Sequence, residues 1–447
     1  MAGKKRVFDT RISTPVRLWT GIAVPIALVL VAWLVLAGEL GGLRAGFTTI
    51  GAGTAPGVEA SARLSYDLSD LDNEVVTMLL VGDQSGLGEN RATAYGAYQH
   101  DIEDANTNLA LIGSGIDAVP DGSKLLIQIE NGLSAYEHAV DDAMYVDSLA
   151  HGRNPAQPSA EALGTYQHAV DLLSEQNSGV LALATQLIGA EQGTIEAASV
   201  SKLGLSTQLI TVAAVLLALV LLMLVFVQRE LGRRFMRRFN PSLLLATLLT
   251  IGFGVGLIVQ VQSARGDYTA QNAASSGAMV ELWQVQADAA QMRAADGRFL
   301  LDVGAGHYGS GQTVGAASDD AQDLEQQEQT IFGLDELIFS SGTPTSIDQA
   351  YQDFVGDDST LRTEAGESKA DKLAIPVSFE LGDAQADFEK YITALRGALA
   401  DNESAFNAAM ASGRTALGPW QWLPAVWAPV IALLVLSGFA PRLREYR

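Results

Sequence analysis

RELGRRFMRRFN, residues 229–240, decides the fold. Five arginines, Arg229, Arg233, Arg234, Arg237 and Arg238, stand there against one acid, Glu230. An apolar run precedes the stretch at 209–228 and another follows it at 243–262. A short basic stretch between two such runs is the pattern of a cytoplasmic hairpin joining two membrane-spanning helices.

Working outward, two more apolar runs lie at 21–40 and 422–440. Each of the four has the length a helix needs to cross ~30 Å of hydrocarbon at about 1.5 Å per residue. Three basic pieces adjoin them: an N-terminus (1–20), the loop (229–242) and a tail (441–447). These hold thirteen of the 28 Lys/Arg residues and three of the 51 Asp/Glu residues. The net charge of −23 therefore arises in the two long segments, 41–208 and 263–421. The positive-inside rule puts the basic pieces in the cytoplasm and the acidic segments outside. The expectation is a multi-pass protein of the plasma membrane with both termini cytoplasmic. The first run exceeds a usual signal-peptide core, so it is expected to stay as a span.

Composition removes several functions. The chain has no cysteine, hence no disulfide, thiol nucleophile or Cys-ligated zinc. GxSxG, HExxH, Walker and kinase motifs are missing, so the expectation is a non-enzyme without cofactor or metal. Acidic long segments speak against a nucleic-acid partner. The spans offer no buried charge for a transport path.

The long segments read as helices. In the first, Gly41, Gly42, Gly46, Gly51, Gly53, Pro56 and Gly57 make a poor helix start. From Val58 onward, Leu64, Leu68, Leu71, Val75 and Leu79 form one apolar stripe. A second helix is expected over about 90–116, ended by Pro120-Asp121-Gly122. A third follows over about 123–150, capped by Ser123 or Asp121. A fourth starts near Ser159 and is expected to run straight into the second span. The segment 263–421 repeats the plan: helices to about 303, over 317–339, 346–367 and 380–412, with a brief strand-like piece at 374–379. The fold class is all-α: an integral membrane protein with four transmembrane helices and two extracytoplasmic four-helix bundles, in a tandem span–bundle–span repeat. Gly252 and Gly256 form a small-xxx-small pair in the third span, which favours close helix approach.

Three Tyr-x-His triplets stand out in the first segment: Tyr98-Gln99-His100, Tyr136-Glu137-His138 and Tyr166-Gln167-His168. Counted from the helix ends at about 1.5 Å per residue, all three could share one layer. One reading is a polar layer or ligand site built from imidazoles beside carboxylates. The other puts each tyrosine in the core and each histidine in solvent, since residues i and i+2 do not share a helix face. The arginine loop also has two readings, docking of a cytoplasmic protein or contact with anionic membrane lipid.

Short motifs carry a resemblance. They are Arg11-Ile12-Ser13-Thr14-Pro15-Val16-Arg17-Leu18-Trp19, Tyr66-Asp67-Leu68-Ser69-Asp70-Leu71-Asp72 and Arg237-Arg238-Phe239-Asn240-Pro241. In these the chain resembles the actinobacterial four-span family of GlnX and related membrane or secreted proteins. The resemblance implies a transducer. A solute-binding lipoprotein would report glutamate, glutamine or aspartate from outside, and a soluble Ser/Thr protein kinase would respond inside. A structural scaffold of the cell envelope is the alternative. Homo-oligomerisation is left open.

Overall fold

The computed structural model describes residues 14–49, 55–82, 86–235, 240–307, 345–367 and 372–445. The first three motif positions, 11–13, the loop residues 236–239 and the helix expected over 317–339 lie outside them. The described residues form helices and no strand. In order these are α1 (Thr14–Thr49), α2 (Ala55–Val81), α3 (Arg91–Gly113), α4 (Gly122–Leu149), α5 (Ala160–Ser174), α6 (Val180–Phe235), α7 (Pro241–Ala305), α8 (Thr345–Glu367), α9 (Ala374–Phe379), α10 (Gln385–Leu417) and α11 (Leu423–Glu445). A π-helical turn, Glu380–Ala384, joins α9 to α10. Among the described residues, four helices are long and apolar enough to cross a membrane, at Ile22–Gly41, Ile210–Glu230, Pro241–Ser263 and Leu423–Ala440.

The chain divides into two compact units. The span unit comprises 1–49, 198–270 and 409–447; the bundle unit comprises 50–197 and 271–408.

In the span unit, Ala213, Leu217, Val220, Leu224 and Val227 make a stripe at steps of three and four on α6. It packs with Val29, Ala32 and Leu36 of α1, Phe253 and Leu257 of α7, and Ile431 and Val435 of α11. Trp427 is buried and stacks on Phe253 at 4.9 Å between ring centroids. The expected glycine pair is half realised. A Cβ on Gly256 would come within 2.9 Å of the Trp420 ring, whereas Gly252 meets nothing within 4 Å. Gly254 takes the second close approach, 3.0 Å from Leu217. Asn240 opens α7: its carbonyl accepts from the Leu244 amide, and its side chain donates to the Gly438 carbonyl at 2.9 Å. Pro241 then occupies the first helical position, where no amide hydrogen is needed.

In the bundle unit the two segments, read from the sequence as two bundles, share one core. Leu64, Leu68, Leu71, Val75 and Leu79 of α2 join Phe299, Leu300, Leu361, Val377 and Leu381 in a single buried cluster. The cause lies in the faces of α2 and α7. From Ala60 to Val81 only Arg63 and Asp70 escape full burial. From Met279 to Asp302 no residue is exposed. Each helix is therefore covered all round, with the apolar stripe on one side and small or polar residues on the other. Ser69 receives a hydrogen bond from Gln291 at 3.2 Å, Asp72 pairs with Arg298, and a Cβ on Gly297 would overlap Val76 at 2.1 Å. Tyr66 faces Trp283, Ser69 faces Gln291 and Val76 faces Gly297, so the partners rise together in number and α2 and α7 run parallel.

Three expectations change in detail. Helix α1 passes through Gly41, Gly42 and Gly46 as far as Thr49. The fourth helix of the first segment is not straight: Glu175–Gly179 interrupts it, with Asn177 in the left-handed region at φ 71°. The break seats Val180 against Gly132, where a Cβ would lie 2.8 Å from it. Residues Ala374–Phe379 are helical, because Val377 and Pro376 bury into the shared core and Val377 N donates to Leu373 O. At the capping positions, Asn90 and Ser159 accept from amides of the first turn, while Asp121 stands at the start of α4 without a side-chain cap.

Candidate functional site

The joint between α2 and α7 concentrates the buried charge. Residues 66–74, Tyr-Asp-Leu-Ser-Asp-Leu-Asp-Asn-Glu, alternate apolar anchors with acids on one fully packed helix. The leucines hold the helix in the core, and helical geometry then forces the acids between them into contact with neighbouring helices.

Asp72 is 4% exposed. It pairs with Arg298 of α7 and accepts a hydrogen bond from the Tyr166 hydroxyl of α5 at 2.8 Å. Asp67 accepts from Asn108 of α3 at 2.7 Å, and burial pushes its carboxyl up to about 7. Asp70 accepts from the Tyr66 hydroxyl at 3.0 Å and from Asn73 at 3.4 Å; burial raises its pKa too. The Arg396 guanidinium of α10 donates to the Tyr66 oxygen at 3.1 Å and lies 5.5 Å over the same ring. Burial pushes Glu74 up to about 9, with Asp70, Glu89 and Asp101 adding repulsion. Asp101 of α3 rises to about 8 for the same reasons.

Two more buried pairs flank this cluster. Arg293, 3% exposed, meets Glu380 of the π-helical turn at 2.7 Å and Gln385 at 3.1 Å. It also donates to the Glu380 carbonyl. The turn's irregular backbone presents carboxylate and carbonyl to one guanidinium, and π-helical turns occur often at functional sites. Burial nevertheless leaves the Glu380 carboxyl raised, and Arg293 opposes that only in part. Arg362 of α8 reaches Asp296 at 3.2 Å and Asp358 at 2.6 Å. Elsewhere, Asp147 is wholly buried between Arg91 at 2.8 Å and Arg153 at 2.6 Å.

The residues singled out from the sequence fall differently. Tyr98, Tyr136 and Tyr166 all enter the core, at 6%, 0% and 0% exposure. Tyr136 and Tyr166 both lie near Asp72, and Tyr98 lies near Tyr136. His100, His138 and His168 face solvent on the opposite side of their helices. Among the described residues no three His, Asp or Glu side chains could hold a metal ion together. Arg229 is exposed near the end of α6; Arg233 and Arg234 continue that helix, and Arg237 and Arg238 lie outside the described residues. Sequence reading missed Asp72, Glu74, Arg293, Arg298, Glu380 and Arg396. A usable signal was present: Ser61, Ser65 and Ser69 at four-residue steps mark a second, closely approached face on α2.

Fold and site together define an all-helical, four-span membrane protein with a charged joint in its bundle unit. Residues 46–199 match the family model of the actinobacterial sensor domain. That match covers α2 to α5 with the first part of α6, and it supports a sensor role for the protein. No curated protein and no solved structure matches the chain.

Proposed function

We propose that the protein is a signal transducer of the plasma membrane with no catalytic step of its own. The bundle unit lies outside and receives its signal from a solute-binding lipoprotein of the glutamate, glutamine or aspartate type. The basic loop at 229–238, through Arg229, Arg233, Arg234, Arg237 and Arg238, passes the state to a Ser/Thr protein kinase in the cytoplasm. The sensor-domain match over residues 46–199 is the observation that carries this reading. The segregation of positive charge into three short pieces supports the orientation. The resemblance in residues 66–72 and 237–241 supports the two partners.

A ligand shifts such a protein only by its different affinity for two arrangements. The α2–α7 joint supplies a fitting element. Its ion pairs and interdigitated small residues favour discrete packings over gradual deformation.

Reversing Arg233, Arg234, Arg237 and Arg238 to Glu tests the inward step. Insertion and abundance are expected to hold while phosphorylation of the kinase's substrates stops following the exterior amino acid. An unchanged response would remove the loop from the pathway. Co-purification in mild detergent tests both partners directly.

A further inference from the structure

Glu74 is nine-tenths buried, and among the described residues its Oε2 has no hydrogen-bond partner. Asp101 Oδ2 is buried without a partner in the same way. The charged groups around Glu74 are Asp70 on α2, Glu89 between α2 and α3, Asp101 on α3 and Arg293 on α7. Those around Asp101 are Asp67 and Asp70 on α2, Asp104 on its own helix and Arg396 on α10. Acids outnumber cations, and the cations are engaged. Arg293 serves Glu380 and Gln385, and Arg396 serves Tyr66. Carboxyls crowded in a poorly solvated space cannot all ionise, and one without a donor keeps its proton. No metal-ligating geometry exists among the described groups to replace that proton.

We propose that the joint between the two segments is a proton-operated latch: α3 closes on α2 and towards Arg396 of α10 while Glu74 and Asp101 are protonated, and it loosens when both ionise. The latch goes beyond the transducer reading and stands on the bundle unit alone. It makes the arrangement of the bundle unit depend on the pH around it. Ionisation of Asp101 gains an attraction to Arg396, but it also sets Asp101 against Asp67, Asp70, Asp104 and the ionised Glu74, so repulsion wins.

The cysteine-free chain allows a direct test. Spin labels at Gln99→Cys on α3 and Thr393→Cys on α10, both exposed, report the distance across the joint in the full chain held in nanodiscs. Between pH 5.5 and pH 10.5 the distance is expected to broaden and lengthen by about 2 Å or more, the scale of helix shifts between packed states. Glu74→Gln with Asp101→Asn copies the protonated form and is expected to keep the low-pH distance at both pH values. Should the double variant fold poorly, Glu74→Gln alone is measured and is expected to shrink the pH response; a response equal to that of the unaltered chain overturns the latch. A distance that ignores pH, shortens on ionisation, or still responds in the carboxamide variant overturns the latch. None of these results bears on whether the arginine loop reaches a kinase.

Discussion

Arg298→Ala probes the pairing of the two segments most directly. Its guanidinium is 14% exposed and is the cation on Asp72, whose side chain is 5% exposed. Truncation leaves the carboxylate in the core, still accepting from the Tyr166 hydroxyl. Removing one member of a buried pair costs about 3–5 kcal/mol, most of it from the uncompensated charge left behind. At roughly 2 °C per kcal/mol for a unit of this size, the melting temperature should fall by about 6–10 °C. Near-ultraviolet circular dichroism of the detergent-solubilised protein reads this, because Trp283 packs 6.2 Å from Tyr66 across α2 and α7. Adding Asp72→Asn to Arg298→Ala should restore part of the loss, with a coupling of about 0.5–3 kcal/mol in the double-mutant cycle. A fall below about 2 °C, or strictly additive effects, would mean that the pair does not join the segments, and the account of α2 and α7 as mutually buried helices would fail with it.

Other expectations follow from the same contacts. Gly256→Leu should loosen the span unit, because its side chain would strike Trp420, while Gly252→Leu should be tolerated in open space; thermal stability in detergent separates the two. Glu191 on α6, 5% exposed and with an Oε2 that lacks a partner among the described residues, is pushed up to about 7 by burial. A raised carboxyl stabilises the fold fully below its unfolded pKa and loses that contribution as pH climbs through the folded value. Glu191→Gln should therefore raise the melting temperature at pH 8 and leave it unchanged at pH 4; the reverse pattern would refute the assignment. Replacing His100, His138 and His168 together with Gln should leave stability within about 0.5 kcal/mol and remove no metal effect, since all three face solvent. Melts with and without zinc check it.

Much of the architecture is set locally and could be read early. An uncharged apolar run such as 209–228 can satisfy its backbone in a membrane only as a helix, so sequence alone located the spans. The stripe Leu64, Leu68, Leu71, Val75, Leu79 likewise specifies a helix and one of its buried faces. The tyrosines of the three triplets went to the core and the histidines did not, as the i and i+2 spacing requires.

Burial of a charge is another matter, because it depends on what a distant segment brings. The acids at 70, 72 and 74 look like a solvated face until α7 arrives from more than two hundred residues away with Gln291, Arg293, Gly297 and Arg298. Sequence periodicity describes one helix at a time, whereas a partner for the second face exists only in three dimensions. The sequence by itself therefore determined four helices for the membrane and several for the space beyond it. Tertiary structure alone decided that the acids of α2 would be sealed inside, since only there does a guanidinium from the other segment make a buried carboxylate tolerable.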